Sequence, residues 1–162
     1  MSTKTKPAAK KPTTTLIDVR QAPQMIRIGA DGKPLAEGAT GHVAVLLPQY
    51  GLMFDIATPV LAESWAKAKA AAKKVRTLGF KNWVLPERQE LLLIVDLSKR
   101  LPAIDTALFP NTPTHDWYWT ATELASDSSF AWGVLFYLGY VYYSPRNGAG
   151  FVRAVRRVPA SQ

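Results

Sequence analysis

Apolar residues recur along this chain in two different rhythms, and the rhythm changes near its middle. Leu16, Ile17 and Val19, then Met25, Ile26 and Ile28, read as short extended pieces followed by a turn at Ala30-Asp31-Gly32-Lys33-Pro34. His42 to Leu47 reads as a buried strand stopped by Pro48, and Leu52 to Ile56 as a second. Leu61, Trp65, Ala68, Ala72, Val75 and Leu78 then recur at spacings of four and three. They predict an amphipathic helix with Thr58 as N-cap, Pro59 at its first position and Gly79 as C-cap. A second helix is predicted from Pro86, with Glu87 and Glu90 in its first turns, Leu91 to Leu97 packing inward, and Lys99 and Arg100 at its end.

Beyond residue 100 the pattern becomes short aromatic runs broken by Gly, Ser, Asp and Pro. Eleven of the 17 aromatic residues fall between Trp117 and Phe151, which predicts a small twisted antiparallel β-assembly held by ring packing. Trp132, Val134 and Phe136 alternate as one buried strand face, sending Gly133, Leu135 and Tyr137 to the other side. In Tyr118-Trp119-Thr120, Trp119 is the better core residue. The closing run Phe151 to Arg156 reads as a strand whose arginines pair with carboxylates of the domain. The fold class is therefore α+β, two helices on a sheet assembly, divided into a basic tail (1–15), an arm (16–39) and a domain (40–158).

Charge changes this picture little. The formal charge is +8, but Lys4, Lys6, Lys10 and Lys11 lie in the first dozen residues without an acid, and from Thr13 onward 16 basic residues face 12 acidic ones. Residues 2–15 hold only Ser, Thr, Lys, Pro and Ala, a composition that predicts a disordered, flexible tail. Nucleic-acid binding is expected only through that tail. The lysines at 67, 69, 73 and 74 are read as the solvated face of the first helix. No signal peptide and no membrane span are read, so bacterial cytoplasm or a phage virion is the expected location.

Catalytic chemistry finds few candidates. Without cysteine there is no disulfide, thiolate metal site or thiol nucleophile. His42 and His115 sit in no metal or nucleophile spacing, Asp116 beside His115 is an isolated pair, and Glu87 and Glu90 suit a helix start better than acid–base work. No enzyme activity, cofactor or metal is expected.

A resemblance is carried by an ordered set of motifs: Gly51-Leu52-Met53, Ser64-Trp65-Ala66-Lys67-Ala68, Leu78-Gly79-Phe80, Asn82-Trp83-Val84-Leu85-Pro86, Ala103-Ile104-Asp105, Phe109-Pro110, Trp117 to Thr122, Ala131-Trp132, and Phe151 to Arg156. Over roughly residues 50–157 this resembles the Lcl-type C-terminal domain family, related to the formylglycine-generating-enzyme branch of the C-type-lectin fold. The resemblance implies a lectin-like scaffold. It does not carry over the enzymes' cysteine chemistry, and the calcium-binding Glu-Pro-Asn and Gln-Pro-Asp triplets of sugar-binding lectins are missing. Family members usually have Arg where Val84 stands, so a salt link there is not implied for this chain.

The segment Ser126 to Gly150 combines tyrosine with Ser, Gly, Asn and Arg, the composition of adaptable binding surfaces. The expected ligand-contacting residues are Tyr137, Leu138, Tyr140, Tyr142, Tyr143, Ser144, Arg146 and Asn147, with Ser128, Ser129 and Phe130 at the edge. Trp83, Trp119, Trp132 and Phe136 are expected as scaffold. Proteins of this fold include variable proteins of diversity-generating retroelements, and residues 125–152 contain no Lys, Glu, Gln or Met, as adenine-directed mutagenesis of Asn codons would leave them. The expected function is recognition of a protein or glycan on a cell surface. The alternative is a structural module that spends the same face on homo-oligomerisation.

Overall fold

A computed structural model describes residues 22–159. The expectations for the tail and for Leu16, Ile17 and Val19 lie outside the described residues. Strands β1 (Ile26–Ile28), β2 (Ala44–Leu47), β3 (Leu52–Asp55) and β9 (Val155–Arg157) form one sheet in the order β1-β2-β3-β9. Strands β4 (Val60–Ala62), β5 (Tyr118–Leu124), β6 (Asp127–Leu135), β7 (Tyr140–Pro145) and β8 (Gly150–Val152) form a second in the order β4-β8-β5-β6-β7. Every pairing is antiparallel except β5 with β8. Helices α1 (Trp65–Lys74) and α2 (Arg88–Leu92) complete a mixed α+β fold dominated by its sheets.

The period of two along the strands sorts side chains into two cores. Val45, Leu47, Leu52, Phe54, Tyr118, Val134, Phe136 and Phe151 enter one, with Leu91 and Ile94 from the α2 region. Their neighbours Ala44, Met53, Trp119, Ala131 and Val152 enter the other, with Trp65, Ala68 and Ala72 of α1 and with Trp83. Because both sheet faces are covered here, Tyr118, Trp119 and Thr120 are all buried, where alternation alone favoured Trp119. Trp83 and Phe136 are scaffold as expected, and neither is exposed at all.

Helix α1 begins later than its periodicity suggests. Val60 to Ala62 form β4 against β8, so Thr58 and Pro59 precede a strand, and Ser64 caps the helix by accepting from the Lys67 amide at 3.3 Å. Its C-cap is Val75; Gly79, at φ +74°, closes a separate turn of 3-10 helix. Helix α2 is short and starts at a capping box: the Glu87 side chain takes the Glu90 backbone amide, and Glu90 takes the Glu87 amide at 2.8 Å. The inward run ends at Ile94, since Leu97 is 76% exposed. The strand start also shifts: His42 stands before β2, its Nε2 donating to the Leu108 carbonyl at 2.8 Å.

Among the described residues neither Arg153 nor Arg156 pairs with a carboxylate, whereas Arg157 just beyond them pairs with Glu90 at 2.8 Å. Gly150 to Arg157 passes from one sheet to the other, and at the crossing the buried Arg153 donates to the Asp55 carbonyl (3.0 Å) and the Thr112 hydroxyl (3.1 Å). Arg156 donates from Nε to the Asn82 side-chain oxygen at 3.1 Å. Backbone acceptors and amides suit an interior with few acids, since a buried carboxylate would carry its own desolvation cost. Val84 pairs its backbone with Val155.

Tyr118 packs against Phe136 and Phe151 and donates its hydroxyl to the Pro113 carbonyl at 3.1 Å. Burial holds its phenol above the ordinary tyrosine range, with the Arg153 guanidinium pulling weakly the other way. An unfolded tyrosine loses its proton near pH 10, so above that pH the unfolded chain sheds a proton that the folded chain keeps. Stability is therefore expected to be unaffected by this group below about pH 10 and to fall as pH rises beyond it. Urea midpoints measured from pH 8 to 11 should drop more steeply for the parent chain than for Tyr118→Phe; parallel curves would refute the assignment.

Candidate functional site at the open edge of the second sheet

Among the described residues strand β7 is the last strand of its sheet, so one row of its backbone amides and carbonyls has no strand partner there. Its register on β6 pairs Leu135 with Tyr140, Val134 with Val141, Gly133 with Tyr142, Trp132 with Tyr143 and Ala131 with Ser144. Tyr140 and Tyr142 therefore share a sheet face with Gly133 and Leu135, and Tyr143 shares the opposite face with Trp132. At the edge both faces reach solvent. Tyr140 is 57% exposed, Tyr142 60% and Tyr143 41%, and Tyr137 and Val141 are exposed beside them.

The rings are ordered by one another. Tyr142 and Tyr143 lie parallel at 5.4 Å, while Tyr143 meets Trp132 at 5.4 Å and Phe130 at 5.7 Å edge to face. Arg88, from α2, lays its guanidinium 4.5 Å from the Trp132 ring centroid. The result is an aromatic ribbon running along β7, about 17 Å for its length at the usual rise per residue.

The polar candidates gather at one end of the ribbon. In the β5–β6 turn the Asp127 carboxylate accepts from the Ser129 amide (2.9 Å) and hydroxyl (2.6 Å), which holds its acid below the usual range. Ser128 and Ser129 are exposed and Phe130 half-buried. The Ser129 carbonyl accepts the Arg146 amide at 3.0 Å, tying this turn to the loop after β7. Arg146 pairs with Glu123 at 2.7 Å and stacks 4.1 Å over Trp65, so it is braced rather than free, while Asn147 is exposed. At the other end Tyr137 is exposed and Leu138 half-buried in the β6–β7 turn, where Gly139 at φ +79° packs against Leu97 and Val95.

Two assignments change. Ser144 is buried, because it stands opposite Ala131 on the face covered near α1, and it cannot serve as a contact. Trp132 is half-buried rather than core, with its ring turned to Tyr143 and Arg88. Trp132, Arg88 and Val141 therefore join the site. Trp132 was hidden by sharing parity with the buried Val134 and Phe136, and Arg88 by lying more than forty residues from β7 in sequence. Among the described residues no helix is long and apolar enough to cross a membrane.

Among curated proteins none matches the chain. The Lcl C-terminal domain matches residues 46–156, which takes in both helices and all of β3 to β8. This assignment is to a ligand-binding, recognition-type domain. With that match spanning well over half of its length, the chain belongs to the Lcl C-terminal domain family.

Proposed function

We propose that this chain is a recognition protein of bacterial or phage origin that binds a cell-surface protein or glycan through the aromatic ribbon of β7, on a scaffold of C-type-lectin type. The observation that carries the reading is the contiguous run of exposed Tyr137, Tyr140, Val141, Tyr142 and Tyr143 on one sheet edge. A globular chain rarely leaves that much clustered aromatic surface in water unless a partner uses it. Tyrosine brings large contact area and a hydroxyl at small entropic cost, and the frame beneath it is a doubly covered sheet. The site is an open edge, suited to binding rather than to catalysis, which needs reacting groups held away from water. Retroelement diversification fits the same surface, whose residues lie on a turn, an edge strand and a loop that tolerate exchange.

A specific observation favours a second reading. The backbone row of β7 that no strand among the described residues pairs is a template for strand addition, so two copies can join there and consume the ribbon. Binding of the labelled chain to intact bacterial cells and to glycan arrays separates the two. Recognition predicts retention that Tyr142→Ala weakens at least tenfold, whereas no retention on either surface, or retention untouched by the substitution, would reject it.

A further inference from the structure

Arg156 is a charged group built into the interior with only part of its hydrogen-bonding capacity used. The residue is 7% exposed. Its Nε donates to Asn82, and its guanidinium carbon lies over the Phe80 ring, 3.5 Å from the centroid, so the group is held from two sides. Among the described residues no carboxylate stands within ion-pair distance of it and its two terminal nitrogens have no hydrogen-bond partner, yet neither is sealed among the buried unpartnered atoms. Desolvation without a compensating anion pulls its pKa below the ordinary guanidinium value.

Arg156 lines a cavity of about 400 Å³ whose apolar wall is Met53, Leu78, Phe80 and Val158. Asp31 stands at the rim, but one of its oxygens already accepts the Lys33 amide at 3.0 Å. A fixed guanidinium offering two parallel N–H groups matches a planar carboxylate in bidentate geometry better than it matches a single point charge. The apolar wall asks for a hydrocarbon body beside that group. Asp31 at the mouth disfavours polyanions. The cavity belongs to the β1-β2-β3-β9 sheet, apart from the β7 ribbon, and does not depend on the function proposed for that ribbon.

We propose that Arg156, held by Asn82 and Phe80, is a binding site for an apolar monocarboxylate, either a free branched acid or the C-terminal carboxylate of a peptide ending in an apolar residue. The test titrates the full chain with N-acetyl-leucine, N-acetyl-leucinamide, 4-methylpentanoate, N-acetylglycyl-leucine and inorganic phosphate, followed by ligand-observed NMR. N-acetyl-leucine should bind at least tenfold tighter than its amide, and Arg156→Gln should lose at least tenfold. Ala30→Glu adds a negative charge at an exposed lining position without touching the core, so it should weaken binding even if the Arg156 variant fails to fold. Tighter binding of 4-methylpentanoate assigns a free acid and tighter binding of N-acetylglycyl-leucine a peptide end, and either supports the site. Equal affinity for acid and amide, no effect of Ala30→Glu, or competition by phosphate as strong as by N-acetyl-leucine would overturn it.

Discussion

Replacing Tyr140, Tyr142 and Tyr143 together by alanine should remove ligand binding by about 100-fold or more while leaving the chain folded. The stability cost comes from lost strand propensity at three exposed positions and from the edge-to-face contacts of Tyr143 with Phe130 and Trp132. Together these amount to about 2 kcal/mol, against the 5–15 kcal/mol typical of a folded domain. A binding loss of 100-fold corresponds to about 2.7 kcal/mol, and centrally placed aromatic residues often cost more than that each. Binding should therefore disappear under conditions where the unfolding transition remains cooperative. Urea denaturation beside the cell-binding assay reads both quantities; a variant that no longer unfolds cooperatively would mean the rings are part of the core.

The largest loss of stability is expected at a glycine. A methyl group at Gly150 would stand 2.6 Å from Nε1 of Trp117 and 2.8 Å from Nε1 of Trp119, two indoles packed edge to face at 5.8 Å. Trp119 is fully buried and cannot swing aside, and Gly150 is itself fixed by pairing with Ala62. Gly150→Ala should thus cost about 3 kcal/mol, the upper end of ordinary overpacking, and lower the melting temperature by about 10 °C. Shrinking the movable neighbour, as in Gly150→Ala with Trp117→Phe, should recover only part of it, because the Trp119 contact persists. A melting temperature within 2 °C of the parent's, to take about 1 kcal/mol as the dividing line, would mean that the indoles are not held as described.

Much of the fold was legible in the sequence because strands write their two faces in alternation. β2, β3, β6 and β8 alternate between two separate cores, and the expected scaffold residues Trp83 and Trp119 are both fully buried. Local signals misled where two structures shared one pattern. Thr58-Pro59 has the look of a helix start, but Val60 to Ala62 pair with β8, and only tertiary contact distinguishes a three-residue strand from a helical turn. Arginines near the end of the chain suggested ion pairs, yet the hydrogen bonds that Arg153 and Arg156 make go to carbonyl, hydroxyl and amide groups that no charge count reveals.

The site divides in the same way. The exposure of the tyrosines at 137, 140, 142 and 143 agrees with a run of them among Gly, Ser and Asn, a composition that by itself left half-buried strand residues equally open. Ser144 was misplaced because its parity with Tyr142 matters less than what covers the sheet: near Ala131 the face is closed by the α1 side of the core, and toward Tyr142 it is open. Arg88 could not have been found by spacing, because the chain folds α2 back beside β6 before its guanidinium meets Trp132.

Light scattering of the parent chain beside the Tyr140→Ala/Tyr142→Ala/Tyr143→Ala variant puts the free availability of the β7 ribbon to its most direct test. If the ribbon awaits a ligand, the two proteins have the same molar mass at every concentration examined. An assembly of the parent that the three substitutions take apart would mean that the ribbon is already occupied by another copy.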